Sequence, residues 1–126
     1  MKITTFNVQI VTNNAEPIAQ FFEELGFERR HRQEGIGDLG VTGIRMRNAD
    51  GFSLDISEVE GLPKESMVAI RMNVDDFDEA YKILSSYGFK SVYGKKEVRT
   101  RTGRSDMLFS PSGFAINLVQ HIKEDK

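Results

Sequence analysis

The chain has 126 residues and a mass of 14.3 kDa, the length of one compact domain or of two closely joined halves. Hydrophobic residues make up 39% of the sequence and charged residues 29%, a composition that is typical of a globular protein and argues against intrinsic disorder. The formal net charge of −2 argues against a nucleic-acid binder, and the absence of cysteine excludes disulfides, thiolate metal ligands and cysteine nucleophiles.

The apolar residues occur in short runs. None approaches the roughly 20 consecutive apolar residues that a membrane-spanning helix needs. The first residues, Met1 to Thr5, lack the apolar core of a signal peptide. We therefore expect a cytoplasmic protein that binds neither a membrane nor a nucleic acid.

In chain order, the sequence first predicts a strand and then a helix. Phe6, Val8 and Ile10 alternate with polar residues, and a period of two is typical of a strand with one buried face. An apolar stripe at helical spacing then runs from Ile18 to Leu25, and Gly26 is suited to end that helix in the left-handed conformation. We expect the apolar alternates of the strand and the phenylalanines of the stripe to lie in the core.

Three strands are predicted after this helix, at about residues 27–33, 41–47 and 52–58. The second half repeats the pattern at a shift of 62 residues, which places Asp50-Gly51-Phe52 on Ser112-Gly113-Phe114. Its helix carries a matching apolar stripe from Ala80 to Tyr87, with Asp75 or Asp76 as the cap and Gly88 at the end. Its strands are expected at residues 68–73, 89–93, 105–110 and 114–120.

This order predicts an α+β fold made of two βαβββ modules, at about residues 1–62 and 63–126, within a single domain. Each helix would cover one face of its sheet. The other faces would then line a shared cavity, enclosed by a curved mixed sheet.

The doubled βαβββ order resembles the vicinal oxygen chelate superfamily, which includes glyoxalase I, extradiol dioxygenases and the bleomycin- and fosfomycin-resistance proteins. Two segments strengthen the resemblance: Glu-Leu-Gly-Phe at residues 24–27, which ends the first helix, and Pro-Ser-Gly-Phe-Ala-Ile-Asn-Leu at residues 111–118. The resemblance runs from Ile3 to His121. It implies the fold more specifically than the function, since one fold hosts many activities.

The resemblance also implies a divalent metal held by four side chains, two from each half. The corresponding positions in this chain are Asn7, Asp55, Ala69 and Asn117. Alanine has no donor atom, two carboxamides bind divalent ions weakly, and one carboxylate compensates little of the charge. The two histidines, His31 and His121, lie away from these positions and are expected to be structural or exposed. We therefore expect neither a divalent metal nor another cofactor.

The polar alternates of the strands are expected to face the cavity instead. A concave site with a few convergent polar groups is typical of small-molecule binding. The residues expected to contact a ligand are Asn7, Gln9, Arg45, Asp55, Arg71, Phe109 and Asn117. Other inward positions are Arg47, Ser53, Ser57, Ala69, Asn73, Met107 and Val119.

Arg71 is the most informative of these residues, because it lies in mid-strand between Ile70 and Met72. It is expected either to form a buried ion pair with Asp55 or to bind a carboxylate or phosphate of the ligand, and the two roles are compatible. Asp55 could also act as a general base, although no second acid or nucleophile is evident beside it.

The stretch from Lys95 to Arg104 is rich in lysine and arginine and shows no strand alternation. It is predicted to be a solvated loop, with a lid that attracts anions as the functional alternative.

Two principal functions therefore stay open. One is a metal-free binding protein for a small polar or anionic molecule. The other is a lyase, isomerase or dioxygenase with a degenerate metal site. A partner-binding accessory protein is a third option, and the resemblance implies a homodimer.

Overall fold

The computed structural model describes residues 1–36, 41–61, 65–92, 98–100 and 103–121. These residues form an α+β fold, as predicted, and none of their helices is long and apolar enough to cross a membrane. The two helices and nine strands of this part of the chain are, in order, β1 (Ile3–Thr12), α1 (Ala15–Glu24), β2 (Glu28–Ile36), β3 (Val41–Arg47), β4 (Ser53–Val59), β5 (Met67–Val74), α2 (Phe77–Ser86), β6 (Lys90–Ser91), β7 (Val98–Thr100), β8 (Gly103–Phe109) and β9 (Ala115–His121).

The chain divides into two compact units. The first unit is Asn7–Val68, and the second unit is Met1–Phe6 together with Ala69–Lys126. In the first unit β1 pairs in parallel with β4, while β3 pairs antiparallel with both β4 and β2. In the second unit β5 pairs in parallel with β9, and β8 pairs antiparallel with β9, β6 and β7.

The predicted offset of 62 residues is confirmed by the elements themselves. The bounds of α2, β8 and β9 become those of α1, β3 and β4 after the shift. The strand register repeats as well, because Val8 lies beside Leu54 in the first unit and Ile70 lies beside Ile116 in the second.

The prediction of a loop from Lys95 to Arg104 is wrong for part of that stretch. Val98–Thr100 forms β7, which pairs with the start of β8. Three residues are too few to show a period of two, so sequence alternation could not reveal this strand. Residues 95–97 and 101–102 of the stretch lie outside the described residues, so the lid stays a prediction.

The helix ends follow the predicted residues. The Asp76 carboxylate accepts a hydrogen bond from the backbone N–H of Glu79 at 3.0 Å, which caps α2. Asp75, the other predicted cap, instead accepts from the backbone N–H of Lys2. Gly26 and Gly88 follow the helices with φ of +100° and +88°, a conformation that residues with a Cβ rarely adopt.

Each helix packs on one face of the strands in its own unit. The buried residues around α1 are Ala15, Ala19, Ile44, Met46, Leu54 and Ile56, with Ile10, Ile18, Phe22 and Phe27 packed against them. Those around α2 are Met72, Val74, Phe77, Ala80, Leu84, Leu108, Ile116 and Leu118, with Ile70, Tyr81 and Phe89 packed against them. The opposite face of the strands, which we call the open face of each unit, carries the polar alternates.

The expectation that every apolar alternate lies in the core is wrong. Phe6 and Val8 of β1 are 60% and 51% exposed, and Phe21 of the helical stripe is 58% exposed. A helix of ten residues is about 15 Å long, whereas a strand of ten residues extends about 33 Å. Ile10 packs against the buried residues around α1, whereas Phe6 and Val8 are exposed.

The ion pair between Arg104 and Asp78 is expected to make a pH-dependent contribution to the stability of the second unit. Arg104 donates two hydrogen bonds to Asp78, at 2.7 and 3.1 Å, and they hold the pKa of that carboxyl below its ordinary value. Because folding lowers the pKa of this carboxyl, its ionised form stabilises the folded chain at pH values above the unfolded pKa. This stabilisation is lost as the pH falls through the folded pKa.

We therefore expect Asp78→Asn to lower the melting temperature modestly at pH 7 and by less at about pH 2, because protonation of the carboxyl removes the advantage of the ion pair. Thermal unfolding followed by circular dichroism across this pH range measures the difference. Asp50→Asn, in an exposed turn, is the matched control. An Asp78→Asn effect of equal size at both pH values would contradict the prediction.

Candidate functional site

The open face of the first unit brings four predicted site residues together. Asp55 on β4 lies beside Gln9 on β1 and opposite Arg45 on β3. Its two carboxylate oxygens accept separate hydrogen bonds, one from Arg45 Nε at 3.1 Å and one from Asn7 Nδ2 at 3.2 Å. The Asp55 side chain is 6% exposed and that of Arg45 is 39% exposed, so a buried carboxylate orients a half-exposed guanidinium.

A second polar pair lies beside this cluster. The Gln9 side-chain amide donates to Ser57 Oγ at 2.7 Å, and both residues are buried. Buried polar groups normally satisfy one another in this way, because an unpaired one loses its hydration without compensation. Gln9 therefore lies on the predicted face, and Ser57 is its partner.

The open face of the second unit is built around Arg71. Arg71 on β5 lies beside Asn117 on β9, and its Nε donates to Asn73 Oδ1 at 3.2 Å. Asn73 is buried, whereas Arg71 and Asn117 are half-buried. A contact between Arg71 and Asp55 would join the two units, and it stays a prediction.

Phe109 lies further along the same face of the second unit. It is opposite Ala115 at the end of β8, and it is 37% exposed. Met107 is opposite Asn117 and therefore lies closer in register to Arg71 than Phe109 does. Within the second unit, Phe109 thus lies two residues further along β8 than the position next to Asn117 and Arg71.

The four positions that correspond to the family's metal ligands do not fit a divalent metal. Ala69 supplies no donor atom, and the Asp55 carboxylate is already bonded to a guanidinium, whose positive charge opposes a cation at the same oxygens. In the described ranges, no group of three or more His, Asp or Glu side chains could hold a metal ion.

His31 is a neighbour of the site that the sequence did not indicate. Glu28 lies opposite Arg47 and Arg29 opposite Met46, but the register of β2 then shifts by one residue, so that His31 lies opposite Arg45. A regular count of two along β2 would have placed Arg30 there. Such shifts re-aim a side chain and are common beside functional sites.

Arg29 holds β2 against the helix next to this shift. Its guanidinium donates to Glu16 at 2.7 and 2.9 Å and to Glu23 at 3.0 Å. These bonds raise the pKa of the guanidinium and lower that of the Glu16 carboxyl. Helix α1 and strand β2 are therefore tied together on the face opposite His31.

Comparison with known proteins identifies the family. The profile of the Glyoxalase/Bleomycin resistance protein/Dioxygenase superfamily matches residues 4–118, and the chain belongs to this superfamily. A search of curated proteins finds no match.

Solved structures share the fold at low sequence identity. Methylmalonyl-CoA epimerase from Mycobacterium tuberculosis is 16% identical, with a TM-score of 0.67 over 94% of this chain and 88% of that one. Streptomyces coelicolor methylmalonyl-CoA epimerase in complex with 2-nitronate-propionyl-CoA is 18% identical, with a TM-score of 0.64 over 94% and 98% of the two chains. A hypothetical protein from Bacillus halodurans C-125 is 11% identical, with a TM-score of 0.70 over 100% and 99%.

Proposed function

We propose that this protein binds a small polar or anionic molecule on its open faces without a divalent metal. The arrangement of Asn7, Asp55 and Arg45 is the observation that carries the proposal. It places the oriented guanidinium of Arg45 beside Asp55. Asp55 occupies a position at which metal-binding members of the family would hold the ion. Arginine binds carboxylates and phosphates through paired, charge-assisted hydrogen bonds, so a guanidinium at this place favours an anion over a cation.

The chemistry of the second unit supports the same class of ligand. Arg71 is held by Asn73 and lies beside Asn117, so a guanidinium and a carboxamide are adjacent on that face. One solved relative is methylmalonyl-CoA epimerase in complex with methylmalonyl-CoA and NH4+, and methylmalonyl-CoA carries both carboxylate and phosphate groups. Acyl-CoA esters and small dicarboxylates are therefore the first probes to try.

A thermal-shift screen of chelator-treated protein tests this proposal. The panel should pair anions with neutral analogues of the same shape, such as carboxylates with their amides. We expect stabilisation by at least one anion and none by its neutral analogue. Stabilisation by cations alone, or by apolar amines, would contradict the proposal.

The alternative is an enzyme of the same superfamily, with isomerase chemistry favoured by the solved epimerases. The buried carboxylate of Asp55 would then be the proton acceptor. Both of its oxygens, however, already accept hydrogen bonds from protein donors, which favours a role in orienting Arg45. Incubation with methylmalonyl-CoA in heavy water separates the two functions, because an epimerase that removes the C2 proton would exchange it for deuterium.

We also propose a homodimer, with a second copy of the chain covering the exposed apolar residues. These residues recur at the 62-residue offset, so each unit carries a related apolar surface. Contiguous exposed apolar surface is typical of an interface between proteins. The pairs are Phe6 with Val68, Phe21 with Ile83, Leu25 with Tyr87, and Phe52 with Phe114. A cytoplasmic location stays a prediction.

We expect the chain to sediment as a dimer at micromolar concentration and Phe21→Glu to shift it toward monomer, because a charge in an apolar interface is costly. Gln20→Glu, which adds the same charge at the neighbouring exposed position of α1, should leave the dimer intact. Sedimentation velocity measures both variants. A monomeric parent chain, or an unchanged Phe21→Glu dimer, would contradict this prediction.

A further inference from the structure

The guanidinium of Arg45 carries N–H donors beyond the one that Asp55 accepts. Asp55 takes the Nε donor, and within the described part of the chain no protein group accepts from Nη1 or Nη2. Because the side chain is 39% exposed, these two groups reach the surface of the open face. An arginine fixed at Nε with two adjacent free donors is preorganised for two oxygens of one anion.

His31 lies directly opposite these donors. Cross-strand partners in an antiparallel pair have Cβ atoms about 5 Å apart, so the imidazole and the guanidinium share one patch of the face. His31 is exposed, and it makes no hydrogen bond to the described residues. Its ring is therefore open to a ligand that already engages Arg45.

A glycine, which adds no side chain, lies next to these residues on β3. Gly43 precedes Arg45 on the same face of β3 and lies opposite Ser57. Glycine within a strand often marks the close approach of a ligand to the backbone. Ser57 Oγ accepts from Gln9, and its hydroxyl hydrogen is left to donate.

We propose that Arg45, His31 and Ser57 form a subsite for a phosphate group of the ligand. The subsite rests on the proposed binding function and adds the chemical class of the group that is recognised. Donors of three kinds lie on the strand positions around Gly43, and a phosphate group offers three terminal oxygens where a carboxylate offers two.

The neighbouring charges favour this assignment. Asp55 is the acid nearest to Arg45, and both of its oxygens are occupied by protein donors. Glu28, an acid of β2, lies opposite Arg47 rather than Arg45, and Arg30 pairs with it at 3.5 Å. On the other face of β2, Glu16 and Glu23 are bonded to Arg29.

The experiment titrates inorganic phosphate and, separately, acetate into the full chain at constant ionic strength, followed by NMR. We expect saturable shifts of the His31 ring and Arg45 Nε–H signals with phosphate, and weaker binding of acetate. Arg45→Gln and His31→Gln should each weaken phosphate roughly tenfold, the effect of losing one charge-assisted hydrogen-bond partner. Because His31 is exposed, its variant is expected to fold normally.

Arg32→Gln is the matched control, since Arg32 is on the same strand but lies opposite Ile44, which packs around α1. Unchanged phosphate affinity in Arg45→Gln and His31→Gln, or equal affinities for phosphate and acetate, would overturn the subsite. If Arg71→Ala abolishes phosphate binding while Arg45→Gln preserves it, the subsite is wrong and the proposed binding function stands. If no anion of any kind binds, both are wrong.

Discussion

Replacing Arg71 with alanine is expected to weaken a cognate anion roughly tenfold or more, because a charged hydrogen-bond partner typically contributes about 1.5–3 kcal/mol. Arg71 lies in the middle of β5, and its Nε is held by Asn73 at 3.2 Å. This bond limits the motion of the guanidinium on the open face of the second unit. A ligand therefore meets a donor group that has already lost much of its conformational freedom.

The conservative variant makes the prediction sharper. Arg71→Lys should recover only part of the affinity, since an ammonium group cannot make the paired contact of a guanidinium. Lys82→Ala, which removes an exposed cation of α2 in the same unit, should leave affinity unchanged. Isothermal titration calorimetry with an anion found by the screen measures all three. An Arg71→Ala affinity equal to that of the parent chain would refute the role of Arg71.

Replacing Asp55 with alanine is expected to reduce both stability and binding. The change leaves Arg45 Nε and Asn7 Nδ2 without their common acceptor, and a partly buried donor without a partner typically costs about 1–3 kcal/mol. The guanidinium of Arg45 would also lose its orientation. Affinity for an anion should therefore fall even though a negative charge has been removed from the site.

The direction of the change in affinity distinguishes two roles of Asp55. A carboxylate that orients Arg45 supports anion binding, whereas a carboxylate that merely repels the anion weakens it. Asp55→Asn keeps one acceptor oxygen and should retain more stability than Asp55→Ala. Ser53→Ala, on the same strand and face, is the matched control. Urea unfolding gives the stability of each variant, and calorimetry gives the affinity. Tighter anion binding in Asp55→Ala would show that Asp55 does not position Arg45.

The main elements could be predicted from the sequence because their signals are local and repeated. The helices carry regular apolar stripes, the glycines after them are needed for positive φ, and each feature recurs 62 residues later. Two weak signals that agree at a fixed offset support each other. The strands Val41–Arg47 and Ser53–Val59 were therefore expected within one residue of their observed bounds.

The site was harder to predict, because the register of paired strands and the burial of a side chain depend on residues far away in the sequence. The shift between Arg29 and His31 changes which side chain faces Arg45, and alternation cannot signal one extra residue in a strand. Likewise, the apolar character of Phe6 and Phe21 does not reveal whether another element of the fold covers them. The observed Arg45–Asp55 pair depends on the pairing of β3 with β4, which the hydrophobic pattern leaves open.

The most direct test of metal-free binding is calorimetry of one anion with the same protein before and after metal removal. The parent chain is treated with a chelator, checked by elemental analysis, and titrated with and without added zinc, nickel or iron(II). We predict equal affinity of the parent chain in all of these conditions, and lower affinity in Arg71→Ala whether or not a metal is present. Binding that vanishes on chelation and returns with one metal ion per chain would contradict the account.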